Sequence, residues 1–230
     1  MPRMKRPELL SPAGSLKNMR FAFAYGADAV YAGQPRYSLR VRNNEFSKEA
    51  VLEQGIAEAH ALGKRFFLAS NVAPHNNKVR TYLADLEPIV DMGPDALIMS
   101  DPGLIMMVRE RWPDLPIHLS VQSNAVNYAT VRFWQQIGLK RIILSRELSL
   151  QEVAEIREQH RHFSIRINQS YSPNGQGSDG AGLTRADFFR KRFWRVNRDD
   201  GFILAFSNEL RDGGEAACAR TAHQEPTGIL

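Results

Sequence analysis

A single cysteine, Cys218, stands in the 230 residues. That excludes an internal disulfide framework, and it excludes a Cys-rich zinc or iron–sulfur site made by this chain alone. No apolar run approaches the ~18 residues that a membrane span needs. Residues 1–7 are basic but lead into no hydrophobic stretch, so they do not read as a secretory leader. These absences point to a cytoplasmic protein with no membrane partner. The excess of positive charge is modest, formally +5, and permits an anionic partner such as RNA without requiring one. With 43% hydrophobic and 24% charged residues, the composition is that of a globular chain able to build a core.

What is present is a repeat. A helical stretch ends in a hydrophobic residue and glycine, and a short apolar run follows. Tyr25 and Gly26 precede residues 29–32, Leu62 and Gly63 precede 66–69, Met92 and Gly93 precede 96–99, and Ile137 and Gly138 precede 141–144. Glycine suits the left-handed residue that closes a helix, and apolar runs without alternation suit parallel strands covered on both faces. Residues 8–10 and 117–121 supply two further strands. Helices are expected at about 15–25, 47–62, 78–92, 103–111, 125–137 and 149–160, with Ser47, Asp101-Pro102 and the capping box Ser149/Glu152 at their starts.

Six strand–helix units make an α/β protein with a parallel sheet. Their spacing favours a TIM-barrel-like (β/α) repeat over a doubly wound open sheet, whose Gly-rich phosphate loop is missing from Ser11-Pro12-Ala13-Gly14-Ser15. Half of the sixteen glycines fall after Phe163, so the expected division is a barrel part over 1–163 and an irregular, poorly ordered tail over 164–230. The barrel is therefore expected to be incomplete at about six units. Residues 164–167 and 202–206 offer a forced seventh and eighth strand, with a helix over 184–196 between them.

In such a barrel the chemistry collects at the carboxyl ends of the strands. The loop after the second strand holds Gln34, Arg36, Tyr37, Arg40, Arg42, Asn43 and Asn44. Guanidinium forks suit carboxylates and phosphates, and a tyrosine ring can stack on a base, so an anion pocket is one reading of this loop. A solvated loop whose arginines pair with barrel acids such as Glu147 is the other. Asn71, His75, Asp101, Gln122, Asn124, Arg146 and Glu147 complete the candidate set around the rim. His75 and Asp101 have acid–base chemistry but no metal-ligand spacing. His118 reads as a core histidine within a strand, and His60 as a surface one. Ser11, Ser100, Ser120 and Ser145 lie outside any nucleophile motif.

Several segments carry a resemblance. They are Pro7-Glu8-Leu9-Leu10-Ser11-Pro12-Ala13-Gly14, Tyr25-Gly26-Ala27-Asp28-Ala29-Val30-Tyr31-Ala32-Gly33, residues 34–46, residues 92–103, residues 119–127, and Ile143-Leu144-Ser145-Arg146-Glu147-Leu148-Ser149. Over about residues 7–160 the chain resembles the collagenase-like peptidase family (class U, family thirty-two), in its tRNA-modifying branch. The resemblance implies a TIM-barrel-like N-terminal domain. For function it implies hydroxylation of a tRNA wobble uridine to 5-hydroxyuridine, with tRNA and the dicarboxylate prephenate as partners and an iron–sulfur cluster as cofactor. The family's historical label implies a peptidase instead, and a non-catalytic RNA-binding module is a third reading. The family signature Glu-x-Phe-x-x-Gly-Ala-x-Cys-x4-Gly-x-Cys is absent where it would follow the sixth unit. Residues 163–171 read Phe-Ser-Ile-Arg-Ile-Asn-Gln-Ser-Tyr. No cluster ligand carries over, so the expectation is a truncated chain with an out-of-frame tail that binds no cofactor and is inactive by itself.

Overall fold

The computed structural model describes residues 8–39, 44–160, 163–168 and 203–205. Its strands are β1 (Leu9–Pro12), β2 (Ala29–Gly33), β3 (Arg65–Ser70), β4 (Ala96–Met99), β5 (Ile117–Leu119), β6 (Arg141–Leu144), β7 (Ser164–Asn168) and β8 (Ile203–Ala205). The helices are α1 (Leu16–Ala24), α2 (Glu49–Ala61), α3 (Asn76–Val79), α4 (Tyr82–Asp91), α5 (Pro102–Arg111), α6 (Tyr128–Gln136) and α7 (Leu150–Gln159). Each strand pairs in parallel with the next, and β8 pairs with both β7 and β1, so the sheet closes into a barrel. The α/β, TIM-barrel-like class is as the repeat leads one to expect.

The strand count is not. In place of six units, β7 continues the ladder, with Arg141 opposite Ser164, Ile142 opposite Ile165 and Ile143 opposite Arg166. The three-residue β8 then completes the ring that was expected to stay open. The reason lies in the alternation. Ile165 faces outward into the layer under the helices, whereas the next side chain, Arg166, is buried near the inward-facing Phe67. A strand with a buried arginine lacks the continuous apolar run by which β2, β4 and β6 are recognised. The helix expected over 184–196, and the rest of the expected tail, lie outside the described residues.

Local chemistry sets the helix ends. Ser15, Asp101, Asn127 and Ser149 each accept a backbone N–H from the first turn of the helix they precede. Ser149 and Glu152 form the full capping box. Gly26 and Gly138, both at φ 91°, carry the chain out of the helices before β2 and β6 in the left-handed conformation. Two expectations shift. Ser47 closes a 3-10 turn (Glu45–Ser47) instead of heading α2, which begins after Lys48. The helix expected at 78–92 is divided into α3 and α4.

Two cores result. The outer one lies between sheet and helices. On α2, for example, Leu52, Gly55, Ile56 and Ala59 form a buried stripe at helical spacing. The inner core fills the barrel with Leu10, Ala29, Phe67, Ala69, Ala96, Ile98 and Ile143. Fully burying each large apolar side chain contributes about 1.5–3 kcal/mol. The shell is therefore rigid enough to hold loops at its rim in fixed positions.

Candidate functional site

Because all strands run the same way, the loops after β2, β3, β4, β5 and β6 emerge on one rim. The loop after β2 is fastened at several points. Asn44 Nδ2 donates to the Gly33 carbonyl at 2.6 Å. Asn71 Oδ1, just past β3, accepts the Leu39 N–H at 3.1 Å and the Ser38 hydroxyl at 3.4 Å. Arg36 sits at φ 66°, a left-handed turn that only a few per cent of non-glycine residues adopt. This turn places Arg36 outward and Tyr37 inward.

Tyr37 is fully buried, its ring edge-on to Tyr82 with centroids 4.9 Å apart. Its hydroxyl donates to Asp85 Oδ2 at 2.5 Å and lies 3.1 Å from Thr81 Oγ1. The same Asp85 oxygen accepts from Arg36 Nη1 at 2.9 Å and from Thr81 Oγ1 at 3.0 Å. Three donors therefore converge on one carboxylate oxygen, and they hold the Asp85 carboxyl below its ordinary pKa, the Tyr37 hydrogen bond acting most strongly. Burial, aided by Asp85, pushes the Tyr37 phenol up. Lys78 Nζ donates to the Arg36 carbonyl at 3.2 Å. Burial also pushes the Tyr82 phenol up, and its hydroxyl lies 2.8 Å from that of Ser70 at the end of β3.

Beside this cluster, Leu39 and residues 72–78 line an open groove of about 710 Å³. His75 stands exposed on its edge, immediately before α3. Gln34 lies on the inner side of the loop, 1% exposed, with neither its amide nitrogen nor its amide oxygen hydrogen-bonded. The sequence-predicted residues Gln34, Arg36, Tyr37, Asn71 and His75 thus gather on the β2–β3 side of the rim. Arg40, Arg42 and Asn43 lie outside the described residues.

The other candidates are dispersed. Asp101 Oδ1 accepts the Leu104 N–H at 2.8 Å and caps α5. Gln122 and Asn124 are exposed in and just after a 3-10 turn, with Asn124 at φ 54°, and Ser123 ties that turn to the Ser100 carbonyl at 2.9 Å. Arg146 and Glu147 are exposed after β6, where Glu147 accepts from Ser145 Oγ. The acid that pairs with Arg36 is therefore Asp85 on α4, not Glu147. Lys78, Thr81 and Asp85 complete the loop cluster and were not singled out in the sequence; the spacing of Thr81 and Asp85 by one helical turn was the available signal.

Nucleophile chemistry finds little support. Ser11 Oγ contacts the Pro12 carbonyl, Ser120 Oγ accepts the Gln122 N–H, and Ser145 is bound to Glu147. Among the described residues none of these hydroxyls is hydrogen-bonded to a histidine. Nor does any group of three or more His, Cys, Asp or Glu side chains among them have the arrangement to hold a metal. An iron–sulfur cluster held by four thiolates does not fit a chain with one cysteine. Among the described residues no helix is long and apolar enough to cross a membrane.

The chain is similar to several known proteins. It is 71% identical over 164 residues to tRNA hydroxylation protein P of Escherichia coli, a stretch that is 71% of this chain and 36% of that protein. It is 36% identical over 154 residues to tRNA hydroxylation protein P1 of Bacillus subtilis, covering 67% of this chain and 36% of that one. The chain thus spans about a third of the length of these relatives. Among solved structures, the U32 peptidase Mk0906 superposes with a TM-score of 0.64 at 12% identity, over 90% of this chain and 97% of that one, which speaks for the fold. The sequence profile of peptidase family U32 matches residues 14–168, from the turn before α1 to the end of β7, and the chain belongs to that family.

Proposed function

We propose that this chain is the barrel portion of a tRNA hydroxylation factor, with the β2–β3 side of the rim as its contact for anionic substrate. The observation that carries the reading is the 71% identity to the Escherichia coli tRNA hydroxylation protein P over 164 residues. The rim adds a physical reason. Arg36 has a half-exposed guanidinium only partly engaged by Asp85, and Lys78 lies beside it. A cation fixed by a left-handed turn and a buried tyrosine can meet a phosphate without first losing much side-chain freedom. Arg40 and Arg42 in the same loop add charge. RNA phosphates, or a small dicarboxylate such as prephenate, are the ligands this chemistry suits.

On this reading the chain's own residues bind and orient. The oxidising chemistry requires a group that one thiol cannot ligate, so the chain does not complete the reaction alone.

A hybrid tests this. In Escherichia coli lacking tRNA hydroxylation protein P, residues 8–160 of this chain would replace the matching stretch of the E. coli protein. Nucleoside analysis of tRNA is expected to show 5-hydroxyuridine restored by the hybrid and not by this chain alone. A hybrid that is made in normal amount and restores nothing would overturn the proposal.

A further inference from the structure

The open groove beside the Tyr37 cluster joins an apolar surface to a polar one. Leu39, 59% exposed, lines it together with Val72 and Pro74. His75, Asn76 and Lys78 belong to the same groove. A single exposed leucine is ordinary on a protein surface. Three apolar side chains that share a groove with a lysine, an amide and an imidazole are a mixed surface, and they suit a ligand of mixed character. The volume of about 710 Å³ lies within the range of small-ligand sites, about 300–1,000 Å³.

The backbone around the groove is stitched together before any ligand arrives. The Val72 N–H donates to the Tyr37 carbonyl at 3.2 Å, and the Leu39 N–H to Asn71 Oδ1 at 3.1 Å. Lys78 Nζ reaches the Arg36 carbonyl at 3.2 Å. The chain that carries Leu39 is thus held against the segment after β3, and little backbone ordering remains to oppose binding. The open edge is different. His75 and Asn76 are exposed, and among the described residues neither side chain has a hydrogen-bond partner. Their donors and acceptors are available to a ligand.

We propose that this groove holds the base of one unpaired RNA nucleotide, an inference that rests on the RNA contact proposed for the rim. A base has two apolar faces and a polar edge. Leu39, Val72 and Pro74 offer apolar surface to a face, and an imidazole such as that of His75 stacks on bases. Asn76 meets the edge through an amide that both donates and accepts. The phosphate is met by Lys78 and Arg36, the cations beside the groove. A small dicarboxylate would use those cations and leave the apolar surface in water, whereas a nucleotide covers both. A base inside a duplex is stacked on its neighbours and does not enter, so the groove selects a single-stranded loop or end.

The test measures binding of the full chain to two RNA hairpins by fluorescence anisotropy at one salt concentration. One hairpin has an intact single-stranded loop. In the other the loop nucleotides are abasic and keep only sugar and phosphate. The intact hairpin is expected to bind about tenfold more tightly, the order of one base stacked on a protein surface. In Leu39→Ser together with His75→Ser, which changes two exposed side chains and leaves the anchored backbone, this preference is expected to vanish. Equal affinities in the native chain, or a preference that survives in the double variant, would overturn the groove and leave the phosphate contact of the rim standing. Binding of neither hairpin would overturn both readings. Photo-crosslinking locates the base without any variant. Thiouridine placed in the loop should attach to Leu39 or to residues 72–78, and attachment only elsewhere refutes the site.

Discussion

The Tyr37 hydroxyl donates a 2.5 Å hydrogen bond to Asp85 across 48 positions of sequence, and so fastens the arginine-bearing loop after β2 to helix α4. The same carboxylate oxygen holds Arg36 at 2.9 Å. One acid thus fixes the buried anchor and the exposed cation of the loop together, and what weakens it disturbs the rim before it disturbs the barrel.

Tyr37→Phe keeps the ring packed against Tyr82 and removes only the hydroxyl. A hydrogen bond to a charged acceptor contributes about 1.5–3 kcal/mol, and a loss of that order is expected in urea denaturation at neutral pH. The pH dependence follows from Asp85. Its folded pKa lies below the ordinary 3.8, so its contribution is present above that value and is lost as pH falls through the folded one. The stability gap between the native chain and Asp85→Asn should be widest near neutral pH and close in acid. In Tyr37→Phe, where the carboxyl has lost its strongest partner, the acid-dependent loss should be smaller. Parallel acid limbs in all three proteins would contradict the assignment.

Replacing Arg36, Arg40 and Arg42 together by glutamine should weaken tRNA binding and flatten its salt dependence. Each phosphate contact that is lost lowers the slope of log K against log salt by about 0.7–0.9. The single change Arg36→Gln should have a smaller effect than its share of the triple change, because Asp85 already engages that guanidinium. Filter binding or fluorescence anisotropy over a salt series measures both. An unchanged slope in the triple variant would place the RNA elsewhere.

Asn124 occupies the left-handed region at φ 54° and ψ 45°, where it ends the turn after β5. Glycine adopts that conformation without strain, whereas a β-branched residue meets a steric cost of about 1–2 kcal/mol. Asn124→Gly should leave the unfolding midpoint close to native, and Asn124→Val should lower it. Because Asn124 is exposed on the rim, tRNA affinity is read separately. A drop in Asn124→Gly with stability intact would assign the side chain to the ligand.

Much of this fold was legible in the repeat, because β2, β4 and β6 are buried on both faces and the glycines after the helices stand out from any context. Ser149 and Asp101 announced their helices through capping chemistry that is local in sequence. What the sequence hid was non-local. Arg166 marked β7 as unlike a strand, since an arginine inside a barrel makes sense only once Glu8, some 158 positions away, is seen to accept from it. The rim residues Gln34, Arg36, Tyr37, Asn71 and His75 were found from strand ends alone. Asp85, which organises them, sits on helix α4, away from the strand ends where candidates were sought. Asp101 illustrates the converse, a signal local in sequence. Its position before Pro102 was a capping signal, and capping is what it does.

Gly55 in α2 gives a prediction whose sign runs against helix propensity. Alanine is the better helix former by about 1 kcal/mol, so Gly55→Ala in an exposed helix would stabilise. Here a Cβ would stand 2.7 Å from Phe46 Cε1 and 3.3 Å from Phe66 Cε2. Both rings are fully buried and pack edge-on at 5.4 Å, so neither can swing into solvent to make room. Phe66 is held in β3, and the strain therefore falls on Phe46, two residues after the Asn44 that bonds the Gly33 carbonyl. Overpacking of this kind costs about 1–3 kcal/mol, enough to reverse the propensity gain. Gly55→Ala should lower the urea midpoint and, by displacing Phe46, loosen the base of the arginine loop. Hydrogen exchange should then rise around residues 44–47 more than in β4 or β6. A variant more stable than the native chain would show that α2 can retreat from the sheet, and that the loop is not held by this contact.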